Sequence, residues 1–123
     1  MLIYEVNLVV DESIAPRYST WLREHVRDLL KLDGFDAAAW FVRSDNADTM
    51  PDGDEPDGPR QWTIHYQVRD ADALQAYFDN HADVFRRNRP ETFEGHVTID
   101  RRVLQHRRLF KASEMDADTG PMS

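Results

Sequence analysis

LIYEVNLVV, residues 2–10, decides the fold when it is read beside RQWTIHYQV, residues 60–68. In the first stretch Leu2, Tyr4, Val6, Leu8 and Val10 alternate with Ile3, Glu5, Asn7 and Val9. In the second, Trp62, Ile64, Tyr66 and Val68 alternate with Thr63, His65 and Gln67. Successive side chains of a strand point to opposite faces, so each stretch reads as a strand with one apolar face and one mixed face. A sheet that holds both strands gathers Glu5, Asn7, Thr63, His65 and Gln67 on the mixed side.

Between them, Ile14, Tyr18, Trp21, Leu22, His25, Val26, Leu29 and Leu32 recur at steps of three and four, the period of an amphipathic helix. Ser13 reads as its N-cap, Pro16 is tolerable in the first turn, and Gly34 is a natural stop. A second strand follows over Phe35–Arg43, with Phe35, Ala37, Ala39 and Phe41 opposed to Asp36, Ala38, Trp40 and Val42. Its three consecutive alanines are weak strand formers, which loosens the register. Beyond residue 68, Asp70 caps a second helix with Leu74, Tyr77, Phe78, His81 and Phe85 on its stripe, and Pro90 ends it. A fourth strand is expected from Thr92 to Leu104.

This order, βαββαβ, specifies an α+β, ferredoxin-like domain: a four-stranded antiparallel sheet with two helices on one face and the first and third strands central. The domain is expected to span residues 1–111. Its helix–sheet core should hold Val6, Leu8, Ile64, Leu74 and Phe78, together with Trp21, Leu22, Val26 and Leu29 of the first helix. The other sheet face is left open. Ile3 and Val9 lie on it, and Trp40 and Val42 are read onto it from the second strand.

The chain of 123 residues is one domain long, and 41% hydrophobic content suffices for a core. A net charge of −8 disfavours a nucleic-acid partner. The absence of cysteine excludes disulfides, thiolate metal sites and cysteine nucleophiles. No run approaches the roughly 20 apolar residues of a membrane span. MLIYEVNLVVDE lacks a basic n-region and a cleavage site, so no signal peptide and a cytoplasmic setting are expected. Charge is uneven: residues 45–58 carry six acids and no base, whereas 86–111 are net positive by five. The acidic stretch reads as a flexible, solvated loop, and residues 112–123 as a disordered tail.

MLIYEVNLVVD, WLREHVRDLL, the GF at 34–35, HYQVRDADALQAYFDNHA and the RRVL at 101–104 resemble a family of short bacterial proteins of unknown function. The wider group that the chain resembles is the dimeric α+β barrel superfamily. There, two ferredoxin-like subunits pair their open sheet faces, and members include antibiotic-biosynthesis-type monooxygenases, haem-degrading monooxygenases and small ligand-binding regulators. The resemblance implies a homodimer. It leaves the chemistry open, since one fold hosts many functions.

The candidate ligand pocket is the open face, with Asn7 and His65 at its centre and Glu5, Gln67 and Trp40 around them. Once a second subunit covers them, these polar groups need partners or a wet cavity. Haem-degrading members of the superfamily use an Asn, a Trp and a His. Asn7 matches by position, but Trp62 falls early and on the helix-facing register, and His81 precedes the expected His, so haem cleavage is not expected. His25 and His81 read as residues at the boundary of the core. No HxH, HxxxH or HExxH spacing encodes a metal chelate, and no glycine-rich phosphate loop occurs. A site shared by His65 and His96 across strands is one metal alternative; weak calcium binding by the acidic loop is another, although its spacing does not match an EF-hand and Pro51 and Pro56 interrupt it. No metal and no cofactor are expected. The arginines at 101, 102, 107 and 108 are split between faces by alternation and read as solvated. The reading is an uncharacterised dimer enclosing a small-ligand pocket; the alternatives are a cofactor-independent monooxygenase of the antibiotic-biosynthesis type and a purely structural or interaction dimer.

Overall fold

The computed structural model describes residues 1–46, 48, 50 and 58–113. Strand β1 (Leu2–Val10) leads through a 3-10 turn (Glu12–Ile14) into helix α1 (Ala15–Leu29), followed by β2 (Phe35–Val42) and β3 (Arg60–Val68). Helices α2 (Ala71–Asn80) and α3 (Ala82–Arg87), a 3-10 turn (Glu91–Phe93) and β4 (Val97–Gln105) complete the chain. The sheet order is β2-β3-β1-β4, all antiparallel, with β1 and β3 central as the βαββαβ order required. The expected flexible loop and disordered tail lie mostly outside the described residues.

Each boundary has a local cause. Asp70 caps α2 by accepting a hydrogen bond from the Ala73 amide at 2.9 Å. Ser13 does not cap α1: it lies within the 3-10 turn, and Pro16 occupies the first turn of the helix. Gly34 has φ +85° and closes the α1–β2 connection. The second helix is interrupted at His81, whose φ of −129° and ψ of −31° leave the helical region and separate α2 from α3. β4 begins at Val97, later than expected, because Pro90 starts a 3-10 turn that buries Phe93 against Tyr18, ring centroids 5.1 Å apart.

The helix-facing side of the sheet carries the core. Leu8, Ile64, Leu22, Leu29 and Leu74 are buried as expected, joined by Tyr4, Tyr18, Tyr66 and Tyr77. Tyr4 and Tyr66 stack at 5.8 Å across neighbouring strands. Val6, Trp21, Val26 and Phe78 are only partly buried against this cluster.

The register of β2 departs from simple alternation. Phe35 pairs with Val68 and Ala37 with Gln67, so Asp36 is an extra residue in a β-bulge. Phe35 therefore points into the core, while Ala37, Ala39 and Phe41 point to the open face opposite Gln67, His65 and Thr63. Trp40 and Val42 oppose Ile64 and Trp62 and lie on the helix side. Trp40 is thus not on the open face. It packs edge-on against Trp62, centroids 4.9 Å apart. A single inserted residue reverses the facing of everything beyond it.

Candidate functional site

The open face is built on the central row Ala39, His65, Glu5 and Arg102, one residue from each strand. Glu5 is buried, 4% exposed, by its own neighbours. His65 Nε2 lies 2.7 Å from Glu5 Oε1, Asn7 Nδ2 donates to Glu5 Oε2 at 2.9 Å, and Arg102 Nε also donates to Oε2. The next row extends the chain of contacts: Thr63 Oγ1 donates to Asn7 Oδ1 at 2.6 Å, and Arg43 donates to Thr63 at 3.2 Å while pairing with Asp45. Desolvation opposes ionisation of Glu5, but hydrogen bonds from Arg102, Asn7 and His65 outweigh it and bring the pKa down to about 2. Glu5, Asn7 and His65 therefore form one connected polar patch. Gln67 shares the face, one row away beside Ile3 and Ala37. Trp40 does not belong to this patch.

A second site was not anticipated. Between the sheet, α1 and α3 lies a cavity of about 380 Å³. Its floor is the helix-facing side of β1 and β3, including Tyr4, Leu8 and Ile64. Trp21 and His25 form one wall, stacked at 4.7 Å, with Phe85 edge-on to His25 at 5.8 Å. Val6 and Trp21 are only partly buried because they border this space. Burial pushes the His25 pKa down to about 4, so the imidazole is neutral at pH 7. Burial likewise raises the Tyr18 and Tyr66 hydroxyls and pushes Tyr77 up to about 12, keeping all of them protonated. Arg86, Arg89 and Arg101 complete the lining.

One signal in the sequence pointed here. Val97, Ile99, Arg101 and Val103 are the helix-facing residues of β4, and Arg101 is a cation in an apolar series. His25, read as a core-boundary residue, is a wall of the cavity.

The trio suggested by the haem-degrading resemblance is dispersed. Asn7 faces the open side, Trp62 is buried on the helix side, and His81 is exposed at the end of α2. His65 and His96 are not brought together either. His65 opposes Glu5, whereas His96 bonds Asp11 at the end of β1, six residues and about 20 Å further along the strand. Among the described residues, no group of three or more His, Asp and Glu is disposed to hold a metal ion, and no helix is long and apolar enough to cross a membrane.

The sequence model of a domain of unknown function, DUF4286, matches residues 1–107. The chain belongs to this family. A search of curated proteins finds no significant match to this DUF4286 chain. Solved structures share its fold at low identity. A "putative antibiotic biosynthesis monooxygenase" from Deinococcus radiodurans superposes with TM-score 0.64 at 12% identity, over 90% of this chain and 97% of that one. SnoaB, a cofactor-independent oxygenase from Streptomyces nogalater, gives 0.60 at 9% identity, over 88% and 95%. The heme-degrader MhuD from Mycobacterium tuberculosis, with two hemes bound, gives 0.60 at 9%, over 89% and 99%. At these identities the likeness establishes the ferredoxin-like architecture of the DUF4286 domain and not its chemistry.

Proposed function

We propose that the protein binds a small organic molecule in the cavity between its sheet and α1, and that it works as a cytoplasmic homodimer joined through the open sheet faces. The cavity carries this reading. Protein interiors are close-packed, with few voids larger than a water molecule, and 380 Å³ falls within the range of ligand pockets. An aromatic and aliphatic lining with a few polar groups is the usual composition of such pockets.

Two features support the dimer. Ile3, Val9, Phe41 and Leu104 flank the Glu5 network on the open face, and Phe41 is 47% exposed in the single chain. A polar centre with an apolar surround suits a two-fold contact. The lack of cysteine suits a reducing compartment.

A second reading, a cofactor-independent oxygenase, is favoured by one observation: the cavity lies in a fold shared with SnoaB, and a neutral His25 stands in its wall. Oxygen uptake with an electron-rich naphthol separates the two readings. Uptake abolished by His25→Phe supports the oxygenase; none supports a binding protein.

The pocket itself is tested by titrating a panel of two-ring aromatic compounds, neutral and charged, while following backbone amide shifts. Shifts at Tyr18, Trp21 and Val97 with a rise in Tm are expected. A panel that leaves these residues unmoved overturns the reading.

A further inference from the structure

The cavity has an unequal charge distribution. Arg86 lies on α3, Arg89 just beyond it, and Arg101 on β4, so separate segments bring three guanidinium groups to one space. Among the described residues, no Asp or Glu lines that space. Among the described residues none of the three arginines forms an ion pair, although the chain carries a net charge of −8. Other arginines do find carboxylates: Arg27 pairs with Glu24, Arg43 with Asp45, Arg69 with Asp33 and Arg102 with Glu5. Arg89 and Arg101 stand close enough to Tyr18, and Arg101 close enough to Tyr66, for their charge to oppose in part the rise that burial imposes on these hydroxyls; the charge of Arg101 also disfavours protonation of His25.

Resting on the pocket reading above, we infer that the ligand is a largely apolar, aromatic-sized carboxylic acid whose ionised group is held by Arg86, Arg89 and Arg101. Its body lies over Leu8 and Ile64, beside the Trp21–His25 stack. Guanidinium presents paired donors that match a carboxylate; Arg86 and Arg101 are exposed and Arg89 is half-buried, so the acid group sits at the mouth of the cavity with the apolar body inside. The neutral His25 and the protonated tyrosines add no negative charge to oppose the acid. Among the described residues these arginines have no acidic counter-ion in the cavity, and a bound carboxylate supplies one.

The test uses the full chain with 2-naphthoate and its uncharged analogue 2-naphthamide, followed by calorimetry and by amide shifts at Trp21 and Ile99. The acid is expected to bind about tenfold or more tightly than the amide. The difference should shrink in high salt and collapse in Arg89→Gln and Arg101→Gln, but persist in Arg17→Gln, whose side chain lies outside the cavity. Equal binding of acid and amide at the cavity overturns the inference and leaves the pocket reading standing. A preference for the acid that survives both arginine substitutions also overturns it. Failure of both probes to reach the cavity overturns inference and pocket together.

Discussion

Arg102 and Glu5 face each other across the β1–β4 ladder, and their ion pair joins a carboxylate that is 4% exposed to a guanidinium that is largely solvated. Asn7 and His65 complete the shell, so the acid is held by neighbours from three strands. Because its pKa falls from 4.5 to about 2, the ionised form stabilises the fold fully above pH 4.5, and that stability is lost as the pH drops toward 2. Arg102→Ala should cost about 1–3 kcal/mol at pH 7 and move the acid-unfolding midpoint to higher pH. Circular dichroism across an acid titration checks both. A midpoint that does not move would show that Arg102 adds nothing to the network.

His25 has the opposite charge type but the same sign of pH dependence. Its folded pKa of about 4 lies below the ordinary 6.5, so between these values the unfolded chain binds a proton that the folded chain does not. Stability should therefore fall as pH drops from 6.5 to 4, by about 3 kcal/mol in total. His25→Phe should flatten that slope. Urea midpoints at pH 7.0, 5.5 and 4.5 measure it.

Asn7→Asp places a second carboxylate where the Asn7 amide now donates to Glu5 at 2.9 Å. The two acids would repel within one chain and again across a two-fold interface. Sedimentation equilibrium should show the wild type as a dimer at high micromolar concentration and the variant dissociating at least tenfold more readily. A wild type that stays monomeric under those conditions sinks the dimer.

Gly34 tolerates no side chain. At φ +85° an added Cβ is strained, and it would lie 2.4 Å from the Ala73 Cβ in the first turn of α2. Gly34→Ala should cost about 2–4 kcal/mol, combining the conformational penalty with displacement of α2. A Tm drop on the order of 10 °C is the expected readout by calorimetry.

The strand order was legible because the βαββαβ sequence of elements with right-handed crossovers allows it, and the polar composition of the open face because alternation is a local property. Glu5, Asn7, Thr63, His65 and Gln67 lie on one face because a strand repeats every two residues, whatever surrounds it. Trp40 was misplaced because Asp36 forms a bulge, and neither residue type nor spacing marks the point where alternation restarts. The break between α2 and α3 was hidden for a similar reason: the apolar stripe runs across His81 without interruption.

The cavity belongs to the tertiary structure alone. Periodicity tells which side of an element faces inward; it does not tell whether the opposed sides meet. Trp21, Val6 and His25 read as core or its boundary, and they border a void because the sheet, α1 and α3 do not close completely over it. The convergence of Arg86 and Arg89 with Arg101 depends on the path from α3 into β4, which sets long-range distances that no local pattern encodes. Sequence alone determined which residues share a face, because that follows from backbone geometry over a few residues. Tertiary packing decided which faces enclose space and which charges meet there, because both depend on contacts between segments far apart in the chain.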